Sequence, residues 1–367
     1  MKTQGSITAG NRKKESIQHK AFIPLVIALM VFIVFSVGCS VSIGQVPISL
    51  NDTFQILLYK ISGMRFGSLE GLSTASFADI IWHIRLPRAL MSMLVGIGLS
   101  LCGAVMQASV QNPLADPYIL GISSGGALGA TFAILLGFGF PGVLGQMGVA
   151  VWAFAGAFGA AVLVMVIAHM GGKITSAKLV LTGMVINALC SAFSNFIIYF
   201  ANNAEGIKTV TFWTMGSIAS ATWEKLPLAA ISIGIAVVFF LTQFRVLNTM
   251  LLGSEAAVTL GISLNRYLRI YMMVCAFVTG IIVSSCGTIG FVGLIIPHIV
   301  RGVVGTDHKR LIPASALFGA AFLIWADVFS RTLIHQSELP IGIITSIIGA
   351  PMFMYMLMKK GYGFGGK

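Results

Sequence analysis

NPLADPYILGISSGGALGA, residues 112–130, separates two apolar runs, 90–110 and 127–138. It gathers what a membrane helix avoids: Asn112-Pro113, Asp116-Pro117, Ser123-Ser124 and Gly125-Gly126. Each proline removes an amide donor and pushes its predecessor out of the helical region. Backbone freed in this way cannot face lipid; it is buried in protein or lines a watery cavity. The stretch therefore reads as a hinge or gate, with an ordinary connecting loop as the plainer alternative.

The surrounding composition sets the class. The 367 residues are 57% hydrophobic and only 9% charged, with a mean hydropathy of +0.94, whereas soluble domains carry about 25% charged residues. A span needs about 20 apolar residues, and ten segments qualify: about 22–42, 86–109, 118–138, 145–170, 178–200, 226–243, 268–285, 289–304, 312–333 and 341–358. The expectation is an all-α membrane protein with ten transmembrane helices, one domain over 21–367 behind a polar, basic tail, 1–20. The apolar run after Arg12-Lys13-Lys14, ending at Ser36-Val37-Gly38-Cys39, imitates a lipoprotein signal, but it is long enough to span and reads as an uncleaved first helix. The segment 43–84 reads as external, broken by Gly63, Gly67 and Gly71, and 207–218 as a short helix on the outer interface with Trp213 at headgroup level.

If these spans alternate from a cytoplasmic N-terminus, Lys60, Arg65, Arg85, Arg88, Lys208, Lys225 and Arg331 fall outside and the other 16 of the 23 Lys and Arg fall inside. That bias places both termini in the cytoplasm and makes the net charge of +12 a topology signal. No soluble basic face exists for nucleic acid. The five cysteines lie in or at the ends of apolar runs without paired spacing, as small core residues do.

The chain also repeats itself. At an ungapped offset of 184, Arg85 matches Arg269, Gly96-Ile97 matches Gly280-Ile281, and Ser100 matches Ser284; Cys102-Gly103 matches Cys286-Gly287 and Pro113 matches Pro297. The second and seventh helices are an odd number of spans apart, so duplicated halves would be inverted, a transporter signature.

No G-x-x-x-x-G-K-[ST] phosphate loop is present, and Gly172-Lys173 runs into Ile174. Ion-driven carriers want buried carboxylates, yet the one acid deep within a span, Asp327, has Arg331 at i+4 and reads as half of an internal ion pair. Energy for pumping must then come from another subunit. Residues 254–262 offer a contact for it: Ser254 caps a short helix, Glu255 sits in its first turn, Ala256 and Ala257 leave room for close packing, and Gly261 ends it. A solvated loop helix is the alternative.

Several motifs now carry a resemblance. Glu255-Ala256-Ala257 with Gly261 is similar to the ATPase-docking loop of ABC-importer permeases. Arg85-Leu86-Pro87-Arg88, Gly103-Ala104-Val105-Met106-Gln107, the opening stretch, 290–298, Thr306-Asp307-His308, Ala326-Asp327 and 338–342 together resemble the FecCD-type permeases, which import iron–siderophore complexes, haem and cobalamin. The resemblance implies ten helices per subunit in a type II permease fold, a homodimer or paired homologue with the path at its axis, two ATPase subunits inside and a substrate-binding protein outside. It implies that Asn112, Pro113 and Leu114 narrow the cytoplasmic end of the path, with Thr175 and Ser176 as a second constriction. Glu255, Ala256, Ala257 and Gly261 couple to the ATPase, and Arg85, Arg88 and Arg331, expected at external water, receive carboxylates of the binding protein. An iron(III)–siderophore complex is the expected cargo, and no metal site, cofactor or catalytic residue is expected; His298 and His308 read as loop or helix-end residues.

Overall fold

A computed structural model of the chain describes residues 2–63, 66, 74, 76–137, 148–170, 174–253, 259–261 and 263–358. The described elements are helical. In chain order they are α1 (Lys2–Ser42), α2 (Leu50–Ile61), α3 (Ser76–Asp79), α4 (Leu86–Val110), α5 (Ile122–Leu136), α6 (Gly148–Met170) and α7 (Ser176–Phe200). There follow α8 (Ala204–Thr214), α9 (Leu226–Thr242), α10 (Phe244–Met250), α11 (Leu264–Cys286), α12 (Val292–Val304), α13 (His308–Thr332) and α14 (Ile341–Met358).

Each expected span coincides with a helix, but ten helices of full length are not what the structure shows. Among the described residues six are long and apolar enough to cross a membrane: 22–42 within α1, the continuous Ser76–Val110, α6, α7, α11 and α13. The pair α9 and α10, bent by 66°, makes a seventh, and α5, α12 and α14 are shorter apolar helices.

Two of the short helices are short for one reason. The turns that precede α5 and α12 meet inside the protein: Tyr118 Oη donates to the Ile289 carbonyl at 3.1 Å and accepts from its N–H at 3.3 Å, and Ser123 Oγ reaches Thr288 Oγ1 at 3.2 Å. The start of α12 rests on the middle of α4, where a Cβ on Gly103 would run into the Gly293 carbonyl. The two helices thus begin partway along their neighbours, and their polar, Gly-rich entries satisfy one another instead of facing lipid. Residues 111–115 of the opening stretch turn at the end of α4, and Asp116 and Pro117 already lie against Gly293 of α12. Helix three accordingly starts at Ile122 and not 118, after a 3-10 turn over Pro117–Leu120 capped by Asp116 Oδ1. Helix eight starts at Val292 and not 289, after Phe291 at φ +68°.

The described residues after α1 include further helices. Ser49 caps α2 through the Asp52 N–H at 3.0 Å. Then α3, a π-helical stretch (Ile80–Arg85) and α4 run together as one 35-residue helix. The short helix expected over 207–218 is present as α8, starting three residues earlier because Asn203 Oδ1 caps it at the Gly206 N–H, 2.9 Å away.

Small residues set the helix spacing. Gly96 on α4 faces the Gly319 carbonyl of α13, and Gly125 on α5 faces Gly156 of α6, as helices packed by contact and not by water exclusion require. Two glycines matched by the 184-residue offset both sit at helix contacts, Gly96 against α13 and Gly280 against Phe154 and Ala157 of α6. Elsewhere the ungapped register fails: Cys102 lies mid-helix but Cys286 ends α11, and Pro113 lies in a turn but Pro297 inside α12.

Candidate functional site

The three arginines expected at external water do assemble, but they are buried: Arg85, Arg88 and Arg331 are 5%, 6% and 4% exposed. Arg85 donates to the carbonyls of Val41 (3.0 Å), Ser42 (2.8 Å) and Val46, closing over the chain that leaves α1. Arg331 donates to the carbonyl and hydroxyl oxygens of Ser40 at 2.7 and 2.6 Å. Asp327, fully buried, sits between the other two: Arg88 Nε donates to its Oδ1 at 2.8 Å, and Arg331 Nε lies 3.4 Å from its Oδ2. The second Arg88 contact is Nη1 to Glu338 Oε2 at 2.8 Å, and the Glu338 side chain is 42% exposed. The free access expected for these arginines is therefore corrected: local carbonyls and carboxylates already occupy them, since a buried guanidinium without partners would be costly. Glu338 is the accessible edge of the cluster.

At the opposite end of α4 the two expected constrictions come together. Gln111 closes the helix in the left-handed region at φ +54°, and Asn112 Oδ1 accepts the Leu114 N–H at 2.9 Å, folding Pro113 into a tight turn. The Ser176 hydroxyl donates to the Val110 carbonyl, and Thr175 Oγ1 caps α7 at the Lys178 N–H. Asn112, Pro113 and Leu114 are half-buried, whereas Thr175 and Ser176 are exposed.

This junction is tied to the segment that leads into residues 254–262. Gln111 Nε2 donates to the carbonyl of Met250, the last residue of α10. Asn248, two residues earlier, donates to Asp307 Oδ1 at 2.7 Å, while its own Oδ1 accepts the His308 N–H at 2.8 Å and meets His308 Nδ1 at 2.9 Å. Burial alone would raise the Asp307 carboxyl, but the Asn248 amide, the Lys309 N–H and the neighbouring Arg310 and His308 hold it below its ordinary value. One polar chain thus links the end of α4, α10 and the start of α13. Glu255, Ala256 and Ala257 lie outside the described residues; Gly261 lies within them, at φ +77°.

Gln111, Asn248 and Arg301 were not among the residues the sequence pointed to, and Gln107 entered only as the end of a motif. Arg301 Nη2 donates to Gln107 Oε1 at 2.8 Å, and Gln107 Nε2 to the Leu294 carbonyl at 3.0 Å. An amide inside an apolar helix was the available signal, since a buried polar side chain requires a partner.

The chain matches the FecCD transport family over residues 28–359. It is 36% identical over 329 residues to the hemin transport system permease protein of Yersinia pestis, covering 86% of this chain and 98% of that one. It is also 36% identical over 309 residues to the vitamin B12 import system permease protein of Escherichia coli, covering 83% and 92%. A solved metal-chelate type ABC transporter, in an inward-facing conformation, superposes with a TM-score of 0.77 at 29% identity, covering 92% of this chain and 99% of that one. With a match that spans nearly all of its helices, this chain belongs to the FecCD transport family and is a membrane permease of the ABC-transporter kind.

Proposed function

We propose that the chain is the membrane-spanning subunit of an ATP-driven importer for a large metal chelate. Our first assignment of cargo is an iron(III)–siderophore complex; haemin and cobalamin, carried in the names of the relatives, are the other arms of the test. Two copies, or this chain and a homologue, form the path at their common axis; two ATPase subunits bind inside, and a substrate-binding protein docks outside. The chain crosses the membrane ten times, with α5, α12 and α14 as the short crossings, inverted halves and both termini in the cytoplasm.

The single observation that carries this reading is the Gln111–Met250 contact. It joins the turn at Asn112-Pro113-Leu114, proposed with Thr175 and Ser176 as the inner gate, to the arm that enters Glu255–Gly261, proposed as the ATPase contact. Motion delivered to that arm reaches the gate through one hydrogen bond. The experiment is uptake by proteoliposomes containing the permease, its ATPase and its binding protein. Uptake of one radiolabelled chelate that requires ATP and the binding protein supports the proposal, and uptake driven by an ion gradient without nucleotide overturns it.

Docking at Arg85, Arg88 and Arg331 keeps a place in this reading, through exchange. A carboxylate of the binding protein can reach Arg88 by displacing Glu338, because a guanidinium grips a new carboxylate as well as the old. Glu338→Ala should then tighten binding several-fold in a titration of binding protein onto permease in nanodiscs. An unchanged or weakened affinity assigns the cluster to the fold alone.

A further inference from the structure

Between α5, α6, α8, α9 and α11 lies a cleft of about 960 Å³ that the proposed path does not use. Its walls are largely apolar, with Ile281 buried, Ile134, Val149 and Phe154 half-buried, and Phe212, Leu228 and Phe277 exposed. Exposed aromatic and aliphatic side chains thus line the cleft, and neither Asn112 nor the arginine cluster does.

Its rim has a different chemistry. Glu205 and Lys208 stand in the first half of α8, and Glu224 and Lys225 immediately precede α9. Among the described residues none of the four takes part in an ion pair. Lys225 Nζ donates one hydrogen bond to the Ser220 carbonyl at 2.9 Å, and Lys208 Nζ stands 6.0 Å from the centre of the Phe212 ring. Two cations and two anions thus border an apolar cleft without neutralising one another. An interfacial helix places charge at headgroup level, so rim and cleft together match a molecule that carries both charges at one end and hydrocarbon at the other.

We propose that this cleft binds a diacyl phospholipid with a zwitterionic headgroup. The phosphate lies on Lys208 and Lys225, the ammonium on Glu205 and Glu224, and the acyl chains run between α6 and α11. An anionic headgroup would leave both glutamates facing like charge, which disfavours it. The inference is independent of the cargo, since neither gate nor arginine cluster borders the cleft.

The test uses the permease with its ATPase in nanodiscs containing a phosphatidylethanolamine with a photoactivated diazirine in its acyl chain. Label should concentrate on the peptides carrying Phe154 and Phe277. Unlabelled phosphatidylethanolamine should compete at least tenfold better than phosphatidylglycerol. Leu228→Trp, at an exposed position of the opening, should cut cleft labelling several-fold and leave labelling of the exposed α7 face unchanged. Exchanging both exposed acids, Glu205→Lys with Glu224→Lys, should reverse the headgroup preference. Even labelling of every lipid-facing helix overturns the proposal, as does an unlabelled cleft beside a labelled α7 face, the result expected if a protein partner covers it. Equal competition by the two lipids overturns it as well.

Discussion

Asp327 shows how one residue decides the state of its neighbours. Fully buried, it neutralises a share of two guanidiniums, Arg88 on another helix and Arg331 on its own. Removing one member of a buried ion pair leaves an uncompensated charge and costs about 3–5 kcal/mol. Asp327→Asn should therefore lower the thermal midpoint of the detergent-solubilised permease sharply, whereas Glu338→Gln, at the exposed edge, should change it little; equal midpoints for both variants would show that the burial is not sustained in solution. Asp307 allows a test by pH. Its carboxyl is held below its ordinary value, so it adds stability that is present above the ordinary carboxylate range and is lost as pH falls through the folded-state value. The window is therefore acidic, below about pH 4. Acid unfolding of Asp307→Asn should lose part of the decline seen in the native protein over that window, with no difference at neutral pH beyond a constant offset. A native and variant pair with parallel acid limbs would refute the linkage.

At the scale of elements, the sequence disclosed helices better than it disclosed their ends. Apolar runs located a helix in each of the ten segments because burial in lipid needs length and hydropathy, which a single chain shows directly. Boundaries failed where a tertiary partner decided them. Residue 118 looked like a helix start, but Asp116 caps a 3-10 turn there, and Tyr118 spends its hydroxyl on Ile289 of another segment. The π-helical stretch ahead of α4 escaped notice because no residue type marks a widened turn. The candidate sites were legible as positions and not as contacts: Ser176 bonds to Val110, two residues before Asn112, at one end of α4, while the burial of Arg85 depends on carbonyls 39 to 44 residues away. Contacts of this kind give α10 its role. Gln111 holds Met250, and in the proposed mechanism α10 is a lever between α4 and the coupling arm. Gln111→Ala removes a hydrogen bond of about 1 kcal/mol, too little to unfold the chain. Reconstituted with its ATPase, this variant should hydrolyse ATP at a near-native rate and transport several-fold less chelate per ATP. A proportional fall in both rates would place Gln111 in folding and not in coupling.

For the molecule as a whole, the proposed membrane partner is another copy of itself or a homologue. Along α7 the residues Leu181, Met184, Val185, Phe193, Phe196 and Tyr199 are exposed, and α14 adds Ile347, Met354 and Tyr355. Exposed apolar residues are ordinary where lipid is the solvent, so these faces alone do not distinguish lipid from protein. The polar ends do. Thr175 and Ser176, at the start of α7, remain exposed beside the turn at Asn112-Pro113-Leu114, and polar groups at the foot of an apolar face suit a water-filled vestibule on an axis better than a lipid boundary. If two copies meet there, Leu114 of one approaches the same residue of the other. A cysteine at position 114 can report this, because four of the five native cysteines are buried and all five can be replaced by Ala or Ser. Leu114→Cys in that background should form a dimer on oxidation, and ATP should change the yield by opening or narrowing the gate. Ile231→Cys, on the exposed face of α9, is the control and should stay monomeric. Efficient cross-linking at 231 with none at 114 would move the axis to the α9 side, and no cross-linking at 114 in any nucleotide state would turn that residue toward lipid or the ATPase.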